Sequence, residues 1–345
     1  MLHFGIIQKI INDNINKYSE QLLSFKASDK DFTVNSLIEN RNPIAVKKYT
    51  LLELLDIHIN QLLQEDRLSY AGIFKELKSS LLIFNKHLNI YFSEIDVQWL
   101  KNYENHLRQR KLSDNSMSIK FRCIRTLYNM AIDKGIVKYE YYPFRAYKVS
   151  KFNKETIKRA IKKEDIMKII NYKTADKNTQ LAIDIFSFSY FVGGINFKDI
   201  AYLIKENLID GNKLVYHRKK TKKLVKIPVK DVAMDIIKKY ENPNSMYLFP
   251  VLTENHKTEL QRENRLHKIL ALTNKWLKQI GKELNLSIPL TTYCARHSFA
   301  TVLKRAGVST SIISETLGHS SEKITQIYLD SFDNEQIEKA MDNLL

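Results

Sequence analysis

Glycine is scarce in this chain, which contains only nine glycines in 345 residues. Four of them close stretches in which apolar residues recur with helical periodicity: Gly135, Gly281, Gly307 and Gly318. Helices commonly end with a glycine in the left-handed conformation, so these positions are typical of helix C-termini. The sequence therefore predicts a mainly helical protein, and its 44% hydrophobic residues are enough to bury one or more cores.

The first half of the chain predicts an arm and then a helical bundle. Polar residues between Ser28 and Pro43 separate a short helix, around Ile7–Phe25, from the bundle, so we assign residues 1–45 to an N-terminal helical arm. Residues 46–147 predict a bundle of four helices, because apolar residues recur there at helical spacing. The four predicted helices span Tyr49–Gln64, Ala71–Leu88, Glu94–Gln109 and Ser113–Lys134.

A basic linker is predicted over residues 148–162, where Glu155 is the single acid and apolar residues are few. Such a segment either lies along a phosphate backbone or forms a solvated tether, and its composition favours neither. Residues 163–345 then predict a second domain. Its predicted helices span Lys163–Tyr172, Thr179–Val192, Ile195–Ile204, Ala233–Tyr240, Arg262–Ile280, Ala295–Arg305, Ser309–Leu317 and Glu335–Leu344.

The hydrophobic period changes once in this second domain. Lys213–His217 and Lys223–Pro228 alternate apolar and polar residues in opposite phase around a basic tip, which predicts a β-hairpin. The chain as a whole carries 55 Lys+Arg against 38 Asp+Glu, a net charge of +17, so its partner is expected to be a polyanion. The candidate phosphate contacts at the tip and in the fourth predicted helix are Lys219, Lys222, Lys223, Lys120, Arg122 and Arg125.

Four short motifs succeed one another in the second domain. They are Lys220-Thr221 at the hairpin tip, Tyr293-Cys294-Ala295-Arg296-His297, Leu317-Gly318-His319, and Gln326-Ile327-Tyr328. In this order they resemble the tyrosine recombinase (phage integrase) family, and the chain is similar to integrases of Bacteroidetes mobile elements. The resemblance implies a mainly α fold with a small β-hairpin or sheet: a helical-bundle (SAM-like) core-binding domain over 46–147 and a mixed α/β catalytic domain over 163–345.

The resemblance also implies the chemistry. Tyr328 matches the nucleophile, which would form a 3′-phosphotyrosine link and release a 5′-hydroxyl. Arg296 matches an arginine that clamps phosphate oxygens, and Lys220 matches the general acid that protonates the leaving oxygen. His319 and His297 match imidazole positions that contact the phosphate or assist the nucleophile.

Two positions depart from the family pattern. Asn196 stands where the family has its first catalytic arginine, and an amide donates hydrogen bonds without carrying charge. Tyr293 stands where the family has a histidine, and it cannot become cationic near neutral pH. Arg218, two residues before Lys220 and expected on the same strand face, is the nearest candidate for a substitute cation.

The implied function is site-specific recombination of double-stranded DNA, as integration and excision or as inversion. Two alternatives stay open: a DNA-binding protein that lost its chemistry with Asn196, and a type IB topoisomerase-like relaxer. An apolar stripe in Glu335–Leu344 is suited to docking on a neighbouring protomer, and hence to a tetramer on DNA, although packing on its own domain is as good an interpretation. The short arm over residues 1–45 indicates either a chain without arm-site binding or a truncated arm-binding region.

Several other classes are not favoured. Cys123 and Cys294 are too few and too isolated for a disulfide framework or a zinc site, and the tyrosine chemistry needs no metal or cofactor. No apolar run reaches the length of a membrane span, and the N-terminus lacks the features of a secretion signal. We therefore expect a cytoplasmic protein associated with the nucleoid.

Overall fold

The computed structural model describes residues 2–27, 49–152, 159–326 and 329. The chain divides into two compact units, Met1–Lys154 and Glu155–Leu345. Within the described residues both units are mainly helical, and the second adds one small antiparallel sheet. The predicted fold class is therefore confirmed.

The first unit contains a separate N-terminal helix and a bundle. Its helices are α1 (Leu2–Ala27), α2 (Leu51–Gln64), α3 (Leu68–Asn85), α4 (Val97–Gln109) and α5 (Asp114–Asp133). Helix α1 is longer than predicted and leaves Ile6, Ile7, Ile10, Ile11 and Ile15 exposed. The rest of the predicted arm, residues 28–45, lies outside the described residues.

Side-chain caps fix where three of the bundle helices begin. Thr50 and Glu53 form a reciprocal capping box, in which the Thr50 N–H donates to Glu53 at 2.9 Å. The Asp96 carboxylate accepts from the Trp99 N–H at 2.7 Å, so α4 begins at Val97 rather than at the predicted Glu94. Ser113 caps α5 in the same way.

The bundle core is rich in aromatic rings. Phe74, Tyr103, Phe121 and Tyr128 are all fully buried. The hydroxyl of Tyr103 satisfies its hydrogen-bonding requirement with the Ser80 hydroxyl, 2.7 Å away. These rings pack among buried leucine and isoleucine side chains, and together they form the apolar core that stabilises this unit.

The start of the predicted basic linker (148–162), together with the turn before it, packs into the bundle and is not a solvated tether there. Short 3₁₀ turns at Pro143–Arg145 and Val149–Phe152 carry Phe144, Tyr147, Val149 and Phe152 into the bundle core. Phe152 is fully buried and stacks on Phe121, with ring centroids 5.1 Å apart. The many basic residues of this segment made it look solvent-exposed in the sequence. In the structure, however, Lys151 folds back and pairs with Glu104.

The second unit is built around one buried helix. Its elements are α6 (Lys163–Ile170), α7 (Lys177–Phe191), α8 (Phe197–Ala201), β1 (Leu208–Ile209), β2 (Lys213–His217), β3 (Leu224–Pro228), α9 (Asp231–Lys239), α10 (Glu259–Glu283), α11 (Thr292–Arg305), α12 (Thr310–Thr316) and α13 (Glu322–Gln326). Helix α7 packs against α10, α11 and α9 and is buried along most of its length, which places it at the centre of the unit. The predicted helix Glu335–Leu344 lies outside the described residues.

The sheet has the order β1-β2-β3 and is antiparallel throughout. Lys213 pairs with Pro228 and His217 with Leu224, which is the predicted hairpin to within one residue. Alternate residues of β2 and β3 face the core, as the opposite phases of the two strands predicted. Strand β1 was not predicted, because two residues are too short to show an alternation.

The glycines close helices at three of the four predicted positions. Gly135, Gly307 and Gly318 take φ values of 67°, 79° and 64°, which is the left-handed region. Gly281 is different, because it lies inside α10 and allows close packing: a Cβ there would meet the Cβ of Leu290 at 3.0 Å. Helix α10 ends instead at Glu283, and Asn285 supplies the left-handed residue with φ 52°.

We expect Phe152→Ala to destabilise the first unit by about 3–5 kcal/mol, because it empties a fully buried ring site stacked on Phe121. The matched control is Lys148→Ala, which changes an exposed residue of the same segment and should shift stability by less than about 0.5 kcal/mol. Urea unfolding of the full chain, monitored by circular dichroism, measures both. Equal effects of the two substitutions would mean that the segment is a solvated tether.

Candidate active site

Two consecutive glycines shape the loop that carries Asn196. Gly193 and Gly194 both have a φ of 64°. A Cβ at Gly193 would lie 2.5 Å from the Ile227 side chain and 2.8 Å from the Thr316 side chain, so any other residue would have to displace these side chains and adopt a strained backbone. A Cβ at Gly194 would lie 3.3 Å from the Cα of Arg296. The loop is therefore pressed against α11, and Asn196 becomes the N-cap residue of the five-residue helix α8.

Arg296 lies near the start of α11 and is 2% exposed. Its Nη1 donates to the carbonyl of Gly194 at 2.5 Å, and its Nη2 donates to the carbonyl of Leu317 at 2.6 Å. The planar guanidinium thus bridges two turns that are far apart in sequence. A residue expected to bind phosphate is already part of the interior of the protein.

His319 is held neutral by this arrangement. Arg296 Nη2 lies 3.0 Å from His319 Nε2, and because a guanidinium only donates, Nε2 accepts and the ring proton is on Nδ1. Nδ1–H then donates to the Thr325 hydroxyl at 2.8 Å. Burial, with a smaller effect from the positive charges of Arg296 and Arg218, lowers the pKa of His319 from 6.5 to about 3.

Arg218 is a second buried arginine, 5% exposed. Its Nη1 donates to the carbonyl of Gly318 at 2.9 Å, and its Nε lies 3.8 Å from a carboxylate oxygen of Asp199. The other Asp199 oxygen accepts from the backbone N–H of Lys219 at 2.8 Å. Burial raises the pKa of Asp199, although these contacts oppose the effect.

The expectation that Arg218 and Lys220 share a strand face is wrong. Strand β2 ends at His217 and β3 begins at Leu224, so both residues lie in the connecting turn. This turn is hydrogen-bonded to the end of α12. The Gly318 carbonyl, which accepts from Arg218, also accepts from the Thr221 hydroxyl at 3.2 Å. Lys223 donates to the carbonyl of His319 at 3.4 Å.

The loop that carries Asn196, the hairpin turn and the start of α11 line an open cleft with a volume of about 420 Å³. Six of the residues singled out in the sequence line it: Asn196, Arg218, Lys219, Lys220, Tyr293 and Arg296. Arg159 also lines the cleft, and so do uncharged residues of α10 and of the loop before α11. The ammonium group of Lys219 lies 3.9 Å from the centre of the ring of Tyr202, a residue that does not line the cleft.

Among the part of the chain that the structure describes, none of the remaining predicted site residues lines the cleft. His297 is buried behind the cleft, and its ring meets that of Tyr293 edge to face at 4.8 Å. In the first unit, Arg122 and Arg125 are exposed on α5, and half-buried Lys120 lines a separate groove with Arg110. Tyr328 lies outside the described residues.

Sequence reasoning missed three charged residues of the cleft: Arg159, Lys198 and Asp199. Asp199 is the last residue of the Gly194–Asp199 segment, in which Asn196 departs from the family pattern. Its spacing from Gly194 could have identified it as a residue of the site. Arg159 was hidden among the other basic residues of the predicted linker. Nothing in the sequence separated it from its neighbours, because the contact that places it is a tertiary one.

The described residues contain neither a metal site nor a membrane-spanning helix. No group of three or more His, Cys, Asp and Glu side chains there is arranged to hold a metal ion. None of the helices in the described ranges combines the length and apolar character needed to cross a membrane. Cys123 and Cys294 are both free and buried.

Comparison with known proteins gives two family matches that together cover most of the chain. The "Phage integrase SAM-like domain" profile matches residues 50–149, and the "Phage integrase family" profile matches residues 157–335. The chain belongs to the phage integrase family. The resemblance drawn from the ordered motifs is thereby confirmed, while the similarity to Bacteroidetes elements stays a prediction.

Relatives of this integrase-family chain are tyrosine recombinases. It is 30% identical over 112 residues to a tyrosine recombinase of Thermosipho africanus, a match covering 32% of this chain and 36% of the relative. A tyrosine recombinase of Agathobacter rectalis is 33% identical over 124 residues, 35% of this chain and 38% of the relative. The chain thus spans little more than a third of the length of these relatives. The match to tyrosine recombinase XerC of Thermodesulfovibrio yellowstonii is longer, 25% identical over 63% of this chain and 71% of the relative.

Two solved structures share the fold of this family member. A Tn1549 transposon integrase in complex with a circular intermediate DNA superposes with a TM-score of 0.60 at 15% identity, covering 84% of this chain and 99% of that one. A lambda integrase dimer bound to a COC′ core site gives a TM-score of 0.61 at 14% identity, covering 92% and 88%. At these identities the likeness concerns the fold.

The stability of the protein should fall as the pH is lowered from about 6.5 toward 3. The folded protein keeps His319 unprotonated over that range, whereas the unfolded chain binds the proton, so the unfolded state binds more protons as the pH falls. We expect His319→Gln to reduce the slope of the unfolding free energy against pH between pH 6.5 and 4. Urea titrations at several pH values measure the slope, and an unchanged slope in the variant would contradict the neutral histidine.

Proposed function

We propose that this chain is a site-specific DNA recombinase that cuts and rejoins double-stranded DNA through a 3′-phosphotyrosine intermediate. The observation that carries the proposal is the convergence of Arg218, Lys220 and Arg296 on one cleft in a chain of the phage integrase family. Fixed cationic donors are what a metal-free phosphoryl transfer requires, because negative charge accumulates on the phosphate oxygens in the transition state. A net charge of +17 supplies the wider attraction for DNA.

In the proposed mechanism the phenolic oxygen of Tyr328 attacks the scissile phosphorus and its proton passes to solvent. The bond to the 5′-oxygen breaks with its electron pair, and Lys220 donates the proton that makes this oxygen a hydroxyl. Rejoining is the reverse: the 5′-hydroxyl of a partner strand attacks the phosphotyrosine, gives its proton back to Lys220, and releases Tyr328. The phosphodiester energy is kept in the protein–DNA bond.

His319 takes a positioning role in this proposal. A histidine with a pKa of about 3 is a poor proton acceptor at neutral pH. Its two ring nitrogens are engaged by Arg296 and by Thr325, which lies three residues before Tyr328 in the sequence. We assign His319 to linking the arginine to the segment that carries the nucleophile.

Arg218 is proposed to compensate for the missing arginine at position 196. Asn196 and Arg218 line the same cleft, so a phosphate seated beside the amide also lies near the guanidinium. The donation to Gly318 and the contact with Asp199 fix that guanidinium before any ligand arrives, and such preorganisation is what makes a donor effective in a transition state.

We expect Arg218→Gln to lower the single-turnover cleavage rate by about 10²-fold, because glutamine can still donate to the Gly318 carbonyl but carries no charge. Asn196→Arg should leave the rate unchanged or lower it, since a further guanidinium adds repulsion between like charges. The control is Lys226→Gln, an exposed residue of the same hairpin. A faster Asn196→Arg together with a fully active Arg218→Gln would show that the charge is not compensated.

A nicked suicide DNA substrate tests the function itself. The chain should accumulate a covalent DNA adduct that Tyr328→Phe abolishes, because only the nucleophilic oxygen is removed, while binding in a mobility-shift assay changes less than about twofold. A protein that forms no adduct but binds the DNA site would be a recombinase-derived DNA-binding protein that has lost its chemistry. Adduct formation that survives Tyr328→Phe would assign the nucleophile to another residue.

The assembly is also part of the proposal. We propose that four copies act on two DNA duplexes, and that Ile337, Ala340, Met341 and Leu344 dock a C-terminal helix on a neighbouring protomer. A topoisomerase-like relaxer would act without such docking. Because its substrate is DNA, the protein is expected to be associated with the nucleoid.

A further inference from the structure

We propose that Arg159 is a further phosphate-binding residue of the cleft, presented by stacking over Tyr293. This inference rests on the proposed function and adds to it a cation that the ordered motifs do not contain. Arg159 lines the same cleft as Asn196, Arg218 and Arg296.

The backbone beside Arg159 is fixed to the helix that carries Arg296. The N–H of Ile161 donates to the hydroxyl of Ser298 in α11 at 3.0 Å, and Ser298 is fully buried. The side chain of Ile161 is also buried, in the cluster that contains Ala295. A segment with the composition of a tether is therefore anchored two residues after Arg159, and this anchor limits how far the guanidinium can move from the cleft.

Tyr293 gives the guanidinium a surface to lie on. The Cζ of Arg159 is 6.0 Å from the centre of the Tyr293 ring, at the outer range of a cation–π contact. The ring is itself steadied from behind by the edge of His297. Tyrosine at position 293 cannot carry positive charge, but in this arrangement it orients a residue that does.

The charge of Arg159 is available for a ligand. Arg159 is exposed, and no ion pair joins it to a carboxylate of the described residues. The two buried arginines of the cleft differ in this respect, because their guanidinium groups already donate to backbone carbonyls. The N–H donors of an exposed guanidinium match the geometry of two phosphate oxygens.

The test compares two nicked substrates, one with a normal scissile phosphate and one with a methylphosphonate there, which lacks the negative charge. With the phosphate, Arg159→Ala should lower the single-turnover adduct rate at saturating protein by about 10-fold to 10²-fold. With the methylphosphonate the loss should shrink to less than about threefold, because the neutral group no longer needs the cation. Lys162→Ala, an exposed basic residue of the same segment, is the control and should change neither rate.

Tyr293→Ala provides the second arm. It should lower the rate with the phosphate substrate, yet add little in the Arg159→Ala background, since two residues that act together are not additive. Equal losses of Arg159→Ala on both substrates would reduce Arg159 to a structural residue. A loss of affinity with no change in rate would make it an ordinary backbone contact. If the unmodified chain forms no adduct at all, the proposed recombinase function fails, and this outcome differs from an active chain that is indifferent to Arg159.

Discussion

The two hydrogen bonds from Arg296 to the carbonyls of Gly194 and Leu317 hold together the elements around the cleft of the second unit. A buried charge is tolerated only when its donors are satisfied, and here the satisfying groups are the backbones of two turns. The turns are short, and one of them contains two glycines in the left-handed conformation. The hydrogen bonds from Arg296 therefore fix the backbone path of both turns. The positions of Asn196 and His319 are set by it.

The end of α12 is the second fixed point. Three successive carbonyls, those of Leu317, Gly318 and His319, each accept from a side chain of another element. Cationic donors suit this place, because the C-terminus of a helix carries partial negative charge. The hairpin turn and α11 are thereby joined through the same backbone, so residues from three parts of the sequence face one cleft.

Most helices and the hairpin could be predicted from the sequence, and the features that the sequence did not predict were missed for physical reasons. The helices and the hairpin are predicted by the hydrophobic period, which local sequence carries. Phe152 was missed because a ring that stacks on a distant helix looks the same in sequence as one in a linker. Gly281 misled because glycine serves close packing as well as helix ends. The burial of Arg218 depends on a carbonyl 100 residues away, that of Gly318, which no local pattern reports.

Arg296 both joins two turns of the backbone and lines the cleft, and this has a consequence for natural variants. A substitution there leaves two buried carbonyls without donors, and such orphaned groups lower stability as well as activity. Variants at this position will therefore be removed by cellular quality control, so the amount of protein falls together with its function. An inactive allele that still accumulates, and that under the proposed function competes with the intact protein for DNA sites, must arise at a residue that does not hold the fold.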